Sequence, residues 1–262
     1  MLGAIIGDIA GSKYEFSNIR TDRFDLLSKG CSFTDDTVCT IANMDWLLHG
    51  DKKDPLSATE YLRKWTRRYP YAGYGGRFFQ WVYSDHPRPY GSYGNGSAMR
   101  ISPVAWAANN INELKELSDT FTGITHNHPE GLKGALTVAT CIYMAIHGSS
   151  KEEIKEYAIK QYPEISTLNL DDLRRNYRFD ETCQGSVPQA LYCFLVSNDY
   201  EDCIKTTISI GGDCDTTSAM SGGIAEAFYG IPDSLKMRVR DLLDSEMIKI
   251  VDEFYSTIRD KQ

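Results

Sequence analysis

An all-α globule is predicted by three features of the chain. Apolar residues recur at helical spacing along most of its length, strand-type alternation is scarce, and capping or stopping residues sit at the ends of the periodic segments. In chain order, "TDDTVCTIANMDWLLHG" places Val38, Ile41, Ala42, Asp45/Trp46 and Leu48/His49 at that spacing, starts at the capping-type Thr34 and stops at Gly50. "SATEYLRKWTRRY" repeats the pattern through Tyr61, Leu62, Trp65 and Tyr69, and "INELKELSDTFTGI" does so through Leu114, Leu117, Phe121 and Ile124. "PEGLKGALTVATCIYMAIHG" is apolar on nearly all sides, as a central helix should be. Further helices are expected in "KEEIKEYAIKQY", "VPQALYCFLVS", "YEDCIKTTISI", the stretch after "DTT", "DSLKMRVRDLLD" and "EMIKIVDEFYSTIRD". The total is about ten helices or more. No linker, low-complexity run or repeat interrupts them, so residues 1–262 are expected to form a single domain.

Composition excludes several function classes. With 36 Asp+Glu against 28 Lys+Arg and a net charge of -8, the chain lacks the basic face of proteins that neutralise nucleic-acid phosphates. The seven cysteines contain no CxxC pair and fall mostly in apolar runs, which argues against a zinc ribbon and for buried thiols in a reducing compartment. "MLGAIIGDIAGSKYE" has no basic leader and its apolar run is broken by Asp8, so it reads as neither signal peptide nor anchor. With no apolar run near the ~20 residues that span a bilayer, the expected location is the cytoplasm.

Polar residues at helix entrances then stand out. In "FTDDT", Thr34, Asp35 and Asp36 occupy a cap and first turn, where acids are ordinarily explained by the helix dipole. "GGDCDTTSAMSGGIAEAFYG" repeats the arrangement with Asp213, Asp215 and Thr216, but here small residues such as Ala219, Gly222 and Gly223 follow and point to an interior. Carboxylates near a core must be compensated. An all-oxygen set of carboxylates and threonine hydroxyls favours Mg²⁺, Mn²⁺ or Ca²⁺ over structural zinc. The EF-hand pattern fails, because counting from Asp213 its fifth, sixth and twelfth positions are Thr217, Ser218 and Ile224. Acids from separate segments are instead enough for two cations ~3.5–4 Å apart, an arrangement that activates water.

A glycine-rich stretch, "GSYGNGSAMR", lies between these acids in the sequence. Gly91, Gly94 and Gly96 allow unusual backbone conformations with N–H groups free to face an anion, and Ser92 and Asn95 add side-chain donors. A plain turn leading into "AMRISPVAWAA" is the alternative. It is neither a Walker A loop nor a dinucleotide fingerprint. Residues 60–100 also carry a local surplus of basic side chains, Arg63, Lys64, Arg67, Arg68, Arg77, Arg88 and Arg100, read either as a solvated helix face or as contacts to an anionic substrate.

Taken together, "GDIAGSKYE", "FTDDT", "GSYGNGSAMR", "THNHPEG" and "IGGDCDTTSAMSGGIAEAFYG" closely resemble, in this order, the motifs of the ADP-ribosylglycohydrolase family. The resemblance implies an all-α fold with a central cleft for two Mg²⁺ or Mn²⁺ ions and hydrolysis that releases ADP-ribose from a modified acceptor. It places metal ligands at Thr34, Asp35, Asp36, Asp213, Asp215 and Thr216, with catalytic roles for Glu15, Asp35 and Asp36. Without it Glu15 would read as a helix-end surface residue. It further implies that the ADP-ribose phosphates lie on Gly91, Ser92, Tyr93, Gly94, Asn95 and Gly96, with Tyr93 near the distal end of the ligand, and that His126 contacts the ligand. His128 is assigned a structural role, and a His-x-His metal pair is rejected. Cys214 stands between the two acids where the family often has Thr or Ser. The implied partners are an ADP-ribose-containing substrate, including an ADP-ribosylated protein, with no membrane and with nucleic acid only as a modified substrate. The competing readings are another binuclear nucleotide hydrolase, such as a phosphoesterase, and a catalytically silent ADP-ribose-binding protein.

Overall fold

The computed structural model describes residues 1–259. Its helices are α1 (Leu2–Ser12), α2 (Asp35–His49), α3 (Pro55–Arg68), α4 (Gly76–Tyr83), α5 (Ser102–Ala107), α6 (Ile111–Gly123), α7 (Pro129–Ile146), α8 (Lys151–Gln161), α9 (Leu170–Asn176), α10 (Cys183–Val196), α11 (Tyr200–Ser209), α12 (Cys214–Tyr229), α13 (Asp233–Arg240) and α14 (Ser245–Arg259). Short 3-10 turns occupy Asn95–Ser97 and Pro163–Thr167. No strand occurs among the described residues, only an isolated antiparallel bridge between Gly94 and Thr182. Asp260, the last residue of the final expected helix, lies outside the described residues.

The periodic segments became helices at close to their expected limits. A boundary that moved is that of α10, which begins upstream of Pro188 because Thr182 caps it, accepting from the Gly185 N–H. Four helices escaped the periodicity reading, α1, α4, α5 and α9. Three of these are short, whereas α1 is rich in glycine, a poor helix former, and owes its helix to its packing.

That packing positions the site. Gly3, Gly7 and Gly11 share one face of α1 and lie directly on the backbone of α12, antiparallel to it. A Cβ on Gly7 would stand 2.0 Å from the Ser218 carbonyl oxygen, one on Gly3 2.4 Å from that of Gly222, and one on Gly11 2.5 Å from the Asp215 Cα. Contact this close brings the acid on the next residue, Asp8, to the mouth of α12. The main core has α1, α2, α7 and α12 at its centre, and a small separate cluster of Leu173, Cys193 and Ile210 accompanies it. All seven cysteines are buried and unpaired. No helix of the described residues is long and apolar enough to cross a membrane.

Most of the basic surplus over residues 60–100 lies on the solvated surface expected for it, with Lys64, Arg67, Arg68, Arg77 and Arg88 exposed. Arg63 and Arg67 donate to the Val82 carbonyl and tie α3 to the end of α4, Lys64 pairs with Asp45, and Arg68 pairs with Glu246. Only Arg77 and Arg100 of this group line the cleft described next.

Candidate active site

Two helix N-termini, those of α2 and α12, converge on a cleft of about 310 Å³. Its lining includes Glu15, Asp35, Asp213, Asp215 and Thr216 together with Ser92, Gly94, Asn95, Gly96 and His126. Residues from every predicted motif therefore meet in one place, and Gly73, Gly75 and Gly76 of "GYGG" join them. Both helices aim the positive ends of their dipoles at the acids.

The turn into α12 is built by Gly211 and Gly212, whose φ values of 72° and 75° lie in the left-handed region. A side chain is excluded at either position, since a Cβ would stand 2.5 Å from Arg20 Nη1 or 2.4 Å from Tyr177 Cε1. Asn18 fastens this turn to the segment carrying Glu15. Its amide donates to the Glu15 carbonyl (3.0 Å) and the Gly212 carbonyl (3.0 Å), and its oxygen accepts from the Gly212 N–H at 2.8 Å. Glu15, past the end of α1, is thus held at the cleft instead of at a free surface.

The carboxylates form two groups. One oxygen from each of Asp8, Asp36 and Asp215 lies within 4.8 Å of the others, and the same holds for Glu15, Asp213 and Asp215. Asp215 belongs to both. Asp35 lines the cleft but belongs to neither trio. Thr34 and Thr216 contribute hydroxyls, Thr34 Oγ1 reaching Asp8 (2.7 Å) and Asp36 (3.1 Å) and Thr216 Oγ1 reaching Asp36 at 3.2 Å. Asp213 accepts from the Asn95 amide at 2.7 Å. The donors to this cluster are hydroxyls, an amide and backbone N–H groups, none of them a cation, and the buried Asp36 Oδ1 has no partner.

Charge crowding follows. Burial, together with the charges of Asp215 and Asp8, pushes the Asp35 and Asp36 carboxyls well above the usual carboxylate range, and burial with Asp213 and Asp8 does the same to Asp215. Burial, and then Asp215, raises Glu15 to about 8, while burial raises Asp213 to about 6. Acids whose charged form the protein does not compensate, with an orphan oxygen among them and hard oxygen donors around, fit a divalent cation.

Asp8 was missed as a site residue. In the sequence it is a lone acid in an apolar run, the signal that was available. In the fold it caps α2 from outside, accepting from the Thr34 N–H and the Thr37 N–H, both at 3.0 Å, and from the Thr37 hydroxyl. Thr34, expected as a cap, makes no side-chain capping bond; its hydroxyl turns to the acids instead.

The glycine-rich loop also differs from expectation. Its N–H groups do not face the cleft as a set. Gly91 donates to Asn127 Oδ1 (2.7 Å), Gly94 to Ser92 Oγ (3.2 Å) and Asn95 to the Glu181 carbonyl (2.7 Å). The Asn95 side chain is committed to Asp213, so it locks the loop to the acids. Gly91 and Tyr93 stand outside the cleft lining, the Tyr93 ring lying 5.2 Å from that of His128. His128 caps α7, accepting from the Glu130 N–H at 3.2 Å, and is structural as expected. His126 is buried at the foot of the loop, and burial together with Arg100 keeps its pKa well below the usual histidine range. Cys214 is buried outside the cleft lining, its thiol pushed up by burial.

The family model of the ADP-ribosylglycohydrolases matches residues 1–262. The chain is similar to ADP-ribosylhydrolase ARH3 of Homo sapiens, at 25% identity over 88% of this chain and 84% of that one. It is also similar to the ADP-ribosyl-[dinitrogen reductase] glycohydrolase of Rhodospirillum rubrum, at 27% identity over 70% of this chain and 58% of the other. Among solved structures, a chain of an ADP-ribosylglycohydrolase-related protein complex superposes with a TM-score of 0.70 at 23% identity, covering 97% of this chain and 95% of that one, which is a likeness of fold. With the family model spanning the whole chain and the motif residues gathered at one acidic cleft, the protein belongs to the ADP-ribosylglycohydrolase family, hydrolases of glycosidic bonds.

Proposed function

We propose that this protein is a divalent-metal-dependent hydrolase that frees ADP-ribose from an ADP-ribosylated protein side chain by cleavage at the anomeric carbon of the distal ribose. The observation that carries the reading is Asp215, shared by two trios of carboxylates beside a buried, unpartnered Asp36 oxygen. Thr34, Asp35, Asp36, Asp213, Asp215 and Thr216 would hold two Mg²⁺ or Mn²⁺ ions. When bound, such ions supply Lewis acidity and fixed positive charge at the reacting sugar.

The chain's own groups do the rest. Glu15, pinned at the cleft by Asn18, takes the proton of the attacking water. As the glycosidic bond lengthens, its electron pair leaves with the acceptor atom, which takes up a proton. The positive charge that builds on the distal ribose would be offset by the carboxylates of the cluster, Asp8, Glu15, Asp35, Asp36, Asp213 and Asp215, whose summed charge exceeds that of two divalent ions. Ser92, Gly94, Asn95 and Gly96, which line the cleft, keep the diphosphate at a fixed distance from that bond, because Asn95 joins this part of the loop to the acids at 2.7 Å. An ADP-ribosylated protein as acceptor is supported by the relatives' names, one acting on dinitrogen reductase and another, at 25% identity, called ADP-ribosylarginine hydrolase Tri1. A single domain in the cytoplasm agrees with one dominant core and seven unpaired cysteines.

The test is a panel of defined ADP-ribosylated peptides followed by mass spectrometry, with EDTA and with added Mg²⁺ or Mn²⁺. Intact ADP-ribose should appear only when metal is present. Release of AMP and ribose phosphate would mark a phosphoesterase, and full turnover in stripped protein would remove the metals from the mechanism.

A further inference from the structure

Arg100 is almost fully buried, yet its guanidinium has no carboxylate partner among the described residues. It lies against the rings of Phe78 and Phe121, each centroid 5.6 Å away, and Nη2 donates to Thr125 Oγ1 at 2.7 Å. The same Nη2 stands 3.5 Å from His126 Nδ1, and Thr125 Oγ1 stands 2.7 Å from that nitrogen. Donor counting fixes the proton positions. A guanidinium can only donate, so the Thr125 oxygen accepts from it and its single hydrogen is left to give. The recipients are His126 Nδ1 at 2.7 Å and the Thr122 carbonyl at 3.5 Å, and the shorter contact takes it. Nδ1 therefore accepts, and the ring proton is on Nε2. That nitrogen faces the glycine-rich loop, 3.4 Å and 3.6 Å from where a Cβ would sit on Gly96 and Gly94, and has no protein partner among the described residues.

We propose that Arg100 and Thr125 are positioning residues that lock His126 in its Nε2–H tautomer, so that the ring presents a neutral donor from beneath the glycine-rich loop to an oxygen of bound ADP-ribose. The ligand half of this proposal rests on the reading that ADP-ribose occupies the loop; the tautomer half does not. An imidazolium would set an Nδ1–H against the Arg100 guanidinium, so the relay also keeps the ring neutral and unavailable as a metal ligand through Nδ1.

Nitrogen-15 NMR of the ligand-free protein reads the tautomer directly. The expected signature is a protonated Nε2 and an unprotonated Nδ1. Thr125→Val, which keeps shape but removes the hydroxyl, should draw the two nitrogen shifts toward each other and weaken ADP-ribose binding about 3- to 10-fold, the loss of one neutral hydrogen bond. Thr125→Ser should restore both the shifts and the affinity, which a purely structural role for the methyl-bearing side chain would not allow. A proton on Nδ1 in the unmodified protein overturns the proposal, as does Thr125→Val with unchanged shifts and unchanged affinity. If Thr125→Val does not fold, the shifts of the unmodified protein decide. If those shifts match while ADP-ribose fails to bind, the relay stands and the ligand assignment falls.

Discussion

Asp36 and Asp45 lie on the same helix, α2, both almost fully buried, and the protein treats them in opposite ways. Asp45 accepts from Lys64 Nζ (2.8 Å), Trp65 Nε1 (2.7 Å) and His49 Nδ1 (2.8 Å), and these partners hold its carboxyl below the usual range. Asp36 accepts from the Thr216 hydroxyl at 3.2 Å and shares the single hydrogen of Thr34 with Asp8, both neutral donors, has one orphan oxygen and is pushed well up by burial and four acidic neighbours. The two ends of α12 repeat the contrast. Glu226, near its C-terminus, accepts from the Gly3 N–H at 2.8 Å, from the Tyr255 hydroxyl and from the Met1 amine, whereas Asp215 at the other end faces acids. Where a buried carboxylate is structural, this fold supplies its partners from the chain. At the cleft it supplies only neutral donors, and the missing positive charge is left for a ligand to bring.

The sharpest break of that comparison is to remove charge on each side. Asp36→Asn and Asp213→Asn should each lower metal-dependent turnover by about 10³-fold or more, because both sit among the proposed cation ligands. In EDTA the same variants should melt higher than the parent, since each relieves repulsion. A variant that lost activity and also lost metal-free stability would mean that the cleft acids are structural like Asp45.

Glu15 sharpens the comparison within the cleft. Glu15→Gln keeps size and hydrogen bonding but removes the base, so kcat should fall about 10²–10⁴-fold with little change in ADP-ribose affinity. Unaltered kcat would make Glu15 a bystander and pass proton removal to Asp35 or Asp36. On the compensated side, Asp45→Asn should leave kcat near that of the parent and cost about 1–3 kcal/mol of stability, read by denaturant melting, because Lys64, Trp65 and His49 lose a shared charged acceptor.

The sequence carried the contrast only in part. The acids of "GGDCDTT" were readable because carboxylates followed by small residues conflict with burial, and that conflict is local, whereas those of "FTDDT" read as helix-dipole acids until the order of the motifs was taken together. Asp8 conflicts with burial just as strongly, but its partners Thr34 and Thr37 come from another helix, so nothing near it in sequence shows that it caps α2. Asn18 and Thr125 were invisible for the same reason, since each acts through atoms supplied by a different segment or by the chosen rotamer of a neighbour. Among helices, α2 and α3 follow from periodicity and α7 from its all-round apolar run, whereas the glycines of α1 make sense only against the backbone of α12. The loop from Gly91 to Gly96 looked open because glycine permits free N–H groups, but the Glu181 carbonyl and the Asn127 side chain, unknowable from the loop itself, take up two of them.

The smallest expected effect is the pH dependence of stability, and its sign differs between the two regions. In metal-free protein Glu15 is held at about 8 and Asp213 at about 6, both above their ordinary values, so the folded state binds protons that the unfolded chain has released. Stability from these groups therefore falls as pH rises from about 5 through 8. Asp45 runs the other way: its folded value is lowered, so its contribution is complete above the ordinary carboxylate range and is lost only as pH falls below it. His49 complicates the neutral region, because Asp45 and Glu253 raise its folded value and its contribution also fades as pH climbs. Metal separates the two, since His49 lies at the far end of α2 from the cleft and contributes equally with and without Mg²⁺. Melting temperatures measured from pH 5 to 9 in EDTA and in saturating Mg²⁺ should diverge toward the alkaline end, where Glu15 and Asp213 are ionised and only a cation offsets them. The share of Glu15 is modest because it is partly open to solvent, which screens its charge, and the raised Asp35, Asp36 and Asp215 add to the divergence in the same direction. Parallel curves across the whole range would show that the cleft carboxylates find their compensation within the chain, as Asp45 does.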